Sequence, residues 1–187
     1  SDPLSLLKKP LLSQIDVSLS AIESRIQKTE GKARCDALTG LFNRSILDEQ
    51  INRFIDSGLR NHNSFSLVFI DFDFFKNIND QHGHLIGDSV LQLFSSILLK
   101  EKRANDCAFR FGGDEFCVLI NGDHKTAGQV YAHRIKNSLK EIYPVVNIPS
   151  PLLSVSIGLA DFPYCALDRE GLLSAADASL LVAKQFG

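Results

Sequence analysis

The spacing of apolar residues predicts a helix at the start of the chain. These residues recur every three or four positions, at Leu12, Ile15, Leu19, Ile22 and Ile26. This is the a/d seam of a coiled coil, and Pro10 suits its first turn. Two interpretations stay open: an amphipathic helix packed on its own domain, or the end of a longer parallel coiled coil that pairs two copies. The pattern stops at 30–32, so we expect an N-terminal signalling helix and hinge over 1–32 and a second domain over 33–187.

Apolar patterning in the second domain alternates between helical periods and short β-rich runs. The predicted elements, in chain order, are helix 43–59, strand 65–70, a polar turn from 77 followed by a helix to about 99, a hairpin within 107–120, helix 126–142, strand 152–160 and helix 172–185. In helix 126–142, Val130 is expected on the inner face and Tyr143-Pro144 is expected to end the helix. Strands separated by helices, with one hairpin, predict an α/β (α+β) sandwich with a mixed central sheet. Its inner β-α-β-β-α-β order matches the palm of nucleotide polymerases and cyclases.

Composition narrows the class of protein. The chain has 187 residues, 44% of them hydrophobic, with a net charge of −2. A core can be buried, and a general nucleic-acid or membrane-surface binder is disfavoured. We find no signal peptide and no apolar run of about 18 residues. We therefore expect a cytoplasmic domain, attached to a membrane only through a preceding region if at all. The absence of methionine suggests a piece of a longer protein, and four cysteines without CxxC spacing suggest reduced, buried thiols.

Acidic residues follow two of the predicted strands. Gly112 and Gly113 read as a tight hairpin in which glycine permits positive φ, and Asp114 and Glu115 come directly after them. Asp71 follows the buried strand that begins at Phe65. Two acidic strand ends placed side by side would offer the hard oxygen ligands that Mg²⁺ prefers. The alternatives at this point are a solvated hairpin turn, and an Asp71 that only caps the next helix.

Five ordered motifs resemble the GGDEF domain, the catalytic domain of diguanylate cyclases. The resemblance covers roughly residues 35–184, with Leu181 where the family usually has tyrosine. The motifs are Asp36–Arg44 (DALTGLFNR), Asp71–Asp88, Gly112–Phe116 (GGDEF), Ser154–Gly158 (SVSIG), and Ala176-Asp177 with Ala183-Lys184. It implies condensation of two GTP into cyclic di-GMP and pyrophosphate across a face-to-face homodimer. A non-catalytic receptor for GTP or cyclic di-GMP is the alternative, and a cyclase that uses ATP is a third possibility.

The resemblance also implies roles for individual residues. Mg²⁺ or Mn²⁺, two per active half-site, would bind Asp71, Asp114 and the main-chain carbonyl of Phe72. Asp114 would also accept a proton, Lys76 would stabilise phosphate charge, and Glu115 would support the site. The residues expected to bind substrate are Phe75, Asn79, His84, Asp88, Gly112, Gly113 and Lys184. Asn79 and Asp88 offer amide and carboxylate groups to a guanine edge.

A second nucleotide site is implied ahead of the hairpin. Arg103 and Asp106 form an RxxD sequence. Five residues separate Asp106 from Gly112, and the family carries its product-binding site at this position. Arg103 suits the Hoogsteen edge and phosphates of a guanine dinucleotide. Asp106 would accept from the base, and Arg134 falls where a helper arginine is found. The expected consequence is feedback inhibition by cyclic di-GMP.

Overall fold

The structure, a computed structural model, describes residues 34–122, 126–148 and 152–186. The chain divides into two units, Ser1–Cys35 and Asp36–Gly187. The fold below is that of the second unit. The predicted helix and hinge over 1–32 lie outside the described residues, so the coiled-coil interpretation and the domain boundary stay predictions.

Five strands form one mixed sheet in the order β1-β3-β4-β2-β5. They are β1 Phe42–Asn43, β2 Phe65–Asp73, β3 Cys107–Gly112, β4 Glu115–Asn121 and β5 Ser154–Phe162. β1 runs parallel to β3, and the other neighbouring pairs are antiparallel. The predicted mixed sheet and its hairpin are confirmed. β1 was not predicted, because two residues are too few to show a period.

Six helices accompany the sheet in the described residues. They are α1 Arg44–Asn61, α2 Phe75–His82, α3 His84–Glu101, α4 Ala127–Ser138, α5 Tyr143–Val146 and α6 Arg169–Phe186, with a 3₁₀ turn at Leu139–Glu141. Asn43 caps α1, since its side-chain oxygen accepts a hydrogen bond from Ser45 N at 3.1 Å.

Both faces of the sheet are covered, which explains the unbroken apolar run of β2. Its side chains alternate between two cores: Leu67 and Phe69 face one, and Val68 and Ile70 face the other. α1 and α6 close the first core, while α2, α3 and α4 close the second. The whole of β2 up to Phe72 is therefore buried between two helical layers.

Two helix predictions were wrong. The segment after 77 is not a turn but part of α2, because Phe75 and Ile78 bury one side of a short helix whose other residues are mostly polar. The predicted helix 126–142 is broken after Ser138, and the chain continues past Tyr143 into α5 with proline in the first turn, where its missing N–H costs nothing. Val130 is 56% exposed, whereas its neighbour Tyr131 is 1% exposed and occupies the inner face.

Two smaller points concern the glycines and the cysteines. Among the described glycines, positive φ occurs at Gly40 and Gly83, so the hairpin glycines do not use the positive φ that glycine permits. Cys165 is exposed and only Cys117 is fully buried, although all four cysteines are free thiols as expected. Within the described residues, no helix combines the length and the apolar character required to cross a membrane.

We expect Gly158→Ala to destabilise the fold strongly. A Cβ at Gly158 would overlap the backbone of α6, at the carbonyl of Ala176 and the N and Cα atoms of Leu180. Backbone cannot swing aside as a flexible side chain can, so we expect a loss of about 3 kcal/mol in the free energy of unfolding. Urea denaturation followed by circular dichroism measures it.

Gly113→Ala is the matched control, because a Cβ there meets no atom within 4 Å. Its unfolding free energy should change by less than about 1 kcal/mol. Equal stability of the two variants would contradict the close approach of α6 to β5.

Candidate functional site

Three carboxylates meet at one end of the sheet. In the β2–β4 ladder Asp71 lies opposite Glu115. Asp114 occupies the turn between β3 and β4, and its carbonyl accepts from Phe72 N at 3.5 Å. The register of two antiparallel strands therefore brings together residues separated by more than forty positions in sequence. These three carboxylates are called the acidic cluster below.

The acidic cluster carries more negative charge than its surroundings neutralise. Burial raises the pKa of the Asp71 carboxyl, Lys184 opposes this shift, and the charges of Asp114 and Asp73 add to it. Burial likewise raises the pKa of Glu115, reinforced by Asp71 and Asp114. Both carboxylates thus hold protons more tightly than free side chains, mainly because they are partly desolvated and further because like charges lie nearby.

Lys184 provides the cation that the acidic cluster contacts. Its Nζ atom lies 2.6 Å from Asp71 Oδ1, and the two side chains are 41% and 11% exposed. Lys184 comes from the last turn of α6, the helix that packs closely on Gly158 of β5. Its ammonium group stands where a positive charge is most stabilised. The sequence assigned Lys184 to substrate phosphates, and the structure places it on a predicted metal ligand.

Glycine at position 112 makes room for a carboxylate. A Cβ at Gly112 would stand 2.8 Å from Glu115 Oε2, so the Glu115 side chain lies over this residue. Gly113 is surrounded by open space. The hairpin glycines are therefore explained by close approach and access, and not by the positive φ that glycine also permits.

Asp73 is a site residue that sequence reasoning missed. Its two carboxylate oxygens accept hydrogen bonds from Ser154 Oγ at 2.6 Å and Ser156 Oγ at 2.7 Å. Asp73 thereby ties the end of β2 to the start of β5 and adds negative charge near Asp71. The serines at alternate positions of β5 were the available signal, since alternate residues share one face of a strand.

Five residues predicted to act on the nucleotide, at its base or its phosphates, lie on two consecutive helices. Phe75, Lys76 and Asn79 belong to α2, and His84 and Asp88 belong to α3. Phe75 is buried and Asn79 half-buried, while the other three are exposed. The Asn79 amide lies directly against Gly87, where any Cβ would collide with it. Glycine at position 87 of α3 thus leaves the space that the Asn79 amide occupies, next to the exposed Asp88.

The chain enters this region through an unusual backbone conformation. Phe74 precedes α2 with φ 55°, in the left-handed region that non-glycine residues rarely adopt. It is also 79% exposed. Such conformations persist where surrounding structure imposes them, and they are frequent at functional sites. This one turns the chain sharply between the acidic end of β2 and α2.

The RxxD residues border a separate cavity of about 300 Å³. Arg103, Asp106, Tyr131 and Arg134 line it. Asp106 is 3% exposed, and its oxygens accept from Arg103 N at 2.7 Å and Asn121 N at 2.9 Å. Arg134 donates to Glu101 O at 2.7 Å. The structure thus brings the three predicted residues to one cavity, with Asp106 already engaged by main-chain donors.

The acidic cluster suits a cation that takes few protein ligands. Across 34–122, 126–148 and 152–186, no group of three or more His, Cys, Asp or Glu side chains is placed to hold a metal ion by itself. Mg²⁺ accepts one or two carboxylates and completes its shell with water and substrate phosphates. Asp71 and Asp114 supply that donor type, and the ammonium on Asp71 marks where positive charge is favoured. The residues present therefore fit a divalent cation.

Comparisons with known proteins identify the family and the fold. A curated relative, the diguanylate cyclase DgcS of Shewanella oneidensis, is 32% identical over 97% of this chain; the chain spans 57% of that relative's length. A crystal structure of a sensory box/GGDEF family protein from Caulobacter crescentus superposes with a TM-score of 0.71 at 32% identity, covering 82% of this chain and 99% of the other.

A second solved structure includes a ligand. The GGDEF domain of DgcB from Caulobacter crescentus, in complex with c-di-GMP, superposes with a TM-score of 0.72 at 26% identity, covering 83% of this chain and 92% of that one. The family described as "Diguanylate cyclase, GGDEF domain" matches residues 33–187. This chain belongs to the GGDEF family.

Proposed function

We propose that this chain is the catalytic domain of a diguanylate cyclase, which condenses two GTP into cyclic di-GMP and releases pyrophosphate. One observation carries the proposal: the register of β2 and β4 brings Asp71, Asp114 and Glu115 together beside an accessible glycine hairpin. Carboxylates that repel one another lower the stability of the fold unless a bound cation neutralises their charge. A nucleoside triphosphate with a divalent cation meets that requirement.

The cation would be held by Asp71, Asp114 and the Phe72 carbonyl, as Mg²⁺ or Mn²⁺ with two ions per half-site. When bound, it supplies positive charge that neutralises the triphosphate and favours ionisation of the attacking hydroxyl. Asp114 stands in the turn where a proton acceptor is needed, and Glu115 lies over Gly112 beside it. Lys76 is exposed on the first turn of α2, from which a flexible ammonium group can follow phosphate charge.

Guanine would bind between α2 and α3. Asn79 is fixed against Gly87, and Asp88 is exposed one residue further along α3. A carboxylate accepts from the N1–H and exocyclic amine of guanine, groups that adenine does not present in this form. Phe75 is buried at the start of α2, and His84 is the first residue of α3. This donor and acceptor set favours GTP over ATP.

Catalysis requires two copies of the domain. In a cyclic dinucleotide each nucleotide supplies one 3′-hydroxyl and one α-phosphate, so two GTP molecules must face each other. Each domain would bind one of them, and a homodimer would complete the site. Cyclic di-GMP would inhibit by binding Arg103, Asp106 and Arg134 at the separate cavity. A non-catalytic receptor for either nucleotide is the competing function, and the experiments below separate it from the cyclase.

We expect Asp114→Asn to lower turnover strongly without unfolding the chain. The substitution keeps the side-chain volume and removes the charge that would bind the cation and accept the proton. Removing one such group lowers kcat by about 10²- to 10³-fold. Chromatography of cyclic di-GMP formed from GTP and Mg²⁺ measures the effect, with thermal melting as the control for folding.

Asp48→Asn is a matched control, since Asp48 is an exposed carboxylate on α1 that forms a 3.7 Å ion pair with Arg169. It should keep wild-type turnover. A wild-type chain that binds GTP but forms no product would support the receptor instead.

We expect Lys184→Gln to change metal and nucleotide affinity in opposite directions. Without nucleotide, Lys184 competes with a cation for Asp71, so its removal should tighten Mn²⁺ binding about two- to tenfold. With GTP present, loss of a positive charge near the phosphates should weaken nucleotide binding. Electron paramagnetic resonance of free Mn²⁺ and GTP titration by calorimetry measure the two effects.

The same variant should alter the pH dependence of metal binding. Lys184 lowers the pKa of Asp71, which burial and neighbouring carboxylates raise. Its removal raises that pKa further, so protons should displace Mn²⁺ at a higher pH than in the wild type. Lys100→Gln, which breaks a surface pair with Glu141 at 3.1 Å, is the control and should shift neither property. Weaker Mn²⁺ binding in Lys184→Gln would refute the competition.

We expect Arg103→Ala to relieve inhibition by cyclic di-GMP while the initial rate stays near wild type. Arg103 borders the 300 Å³ cavity and not the acidic cluster. A lost charged contact to a nucleotide costs about 2 kcal/mol, or roughly 30-fold in affinity. Calorimetry with cyclic di-GMP and inhibition curves measure it. Arg60→Ala, an exposed arginine at the end of α1, is the control; unchanged product affinity in Arg103→Ala would remove this cavity from the proposal.

A further inference from the structure

Arg110 joins two separate loops next to the acidic cluster. Its Nη1 atom donates to Asp36 Oδ1 at 3.0 Å and Oδ2 at 3.2 Å. Its Nε and Nη2 atoms donate to the carbonyl of Gly113 at 3.1 and 2.8 Å. One planar guanidinium group therefore binds a carboxylate on one side and a main-chain oxygen on the other, which only arginine can do.

Asp36 is held as a fixed anchor for this contact. Its Oδ1 atom also accepts from Thr39 N at 2.9 Å and Thr39 Oγ1 at 2.7 Å. Although burial alone would raise the pKa of Asp36, the hydrogen bonds from Thr39 and Arg110 lower it below its usual value. The carboxylate is ionised at neutral pH, and the Asp36 and Arg110 side chains are only 24% and 16% exposed. Partial burial strengthens the pair relative to one at the surface.

The Gly113 carbonyl is the part of the hairpin that needs such a contact. The β3–β4 register shifts between Arg110 and Gly112, so the regular ladder is interrupted where the turn begins. Gly113 has no side chain and no atoms within 4 Å of its Cβ position. The carbonyl of the next residue, Asp114, accepts a long contact of 3.5 Å from Phe72 N. The Arg110 guanidinium group binds the carbonyl of the peptide group that joins Gly113 to Asp114.

We propose that Arg110 is a positioning residue for the reaction: anchored by Asp36, it fixes the Gly113 carbonyl and thereby orients the Asp114 carboxylate toward the cation and substrate. The proposal rests on the proposed function, because it assigns Asp114 its role there. It gives the Asp36–Arg44 motif a chemical purpose that the nucleotide and metal residues leave unexplained. Arg110 itself contacts neither substrate nor cation in this arrangement.

Metal binding to an unreactive substrate complex separates positioning from stability. The full chain is mixed with 3′-deoxy-GTP, which lacks the attacking hydroxyl, and Mn²⁺ affinity is measured by electron paramagnetic resonance. We expect Arg110→Gln to weaken Mn²⁺ about tenfold and to lower kcat ten- to a hundredfold, with a smaller change in KM, as loss of a charge-assisted pair predicts. Arg110→Lys should fall between, since one ammonium group cannot fill both halves of the fork.

Asp36→Asn tests the anchor. It should shift kcat and Mn²⁺ affinity in the same direction as Arg110→Gln but less, and the double variant should be no worse than Arg110→Gln alone, because both act through one contact. Arg169→Gln is the matched control: it removes an arginine from exposed ion pairs with Asp48 at 3.7 Å and Glu170 at 3.4 Å. It should leave kcat and Mn²⁺ affinity unchanged.

All measurements are made well below the melting temperature of each variant. If folded Arg110→Gln keeps wild-type Mn²⁺ affinity and kcat, or if the effects of Asp36→Asn and Arg110→Gln simply add, Arg110 is not a positioning residue. If the wild type forms no cyclic dinucleotide, the proposed cyclase fails, and Mn²⁺ affinity in the 3′-deoxy-GTP complex still decides the role of Arg110.

Discussion

Repulsion among carboxylates at the end of β2 is the constraint on which the site depends. Asp71 lies at the buried end of a strand whose neighbours are apolar, and the β4 register sets Glu115 opposite it. Strand pairing fixes the backbone positions of both residues. Their raised pKa values record the electrostatic cost. The partly buried carboxylates therefore favour a positive charge beside them. Lys184 supplies such a charge by contacting Asp71, and the oxygen ligands suit a divalent cation better.

Close packing keeps both the carboxylates and their counter-charge in place. β2 is buried on two sides, so its acidic end cannot relax into solvent along the strand. α6 approaches the backbone of β5 so closely at Gly158 that no side chain fits, and the same helix carries Lys184. Asp73 links the two strands through Ser154 and Ser156. The distance from Lys184 to Asp71 therefore follows from backbone packing as well as from charge.

The parts of the fold with a strong period could be predicted from the sequence. The buried strand β2, the glycine hairpin and the long helices all carry enough apolar positions to be recognised. α2 was missed because eight residues bury only Phe75 and Ile78, which is too little pattern for a helix. Val130 was placed one residue away from the true inner face at Tyr131, an error typical of helix phase in a short segment.

Within the site, the sequence predicted only those residues that belong to recognisable motifs. Convergence of Asp71 and Asp114 followed from two acidic strand ends together with the family resemblance. The Arg110 contact did not, because it joins residues 74 positions apart and depends on the exact geometry of a turn. The pairing of Lys184 with Asp71 was likewise hidden, since 113 positions separate them (184 − 71) and their attraction is visible only in three dimensions.

The engagement of Asp106 bears on how a product site at the RxxD loop would work. Both its oxygens accept main-chain hydrogen bonds, from Arg103 and Asn121, so the carboxylate fixes the loop between α3 and β3. Arg134, held by Glu101, stands across the same cavity. Positive charge on the rim of the cavity suits an anionic planar ligand. A rigid loop beneath it binds such a ligand better than a flexible loop would, because less conformational entropy is lost on binding. The arginines would then supply most of the attraction to a dinucleotide, and Asp106 would contribute mainly by keeping Arg103 in position.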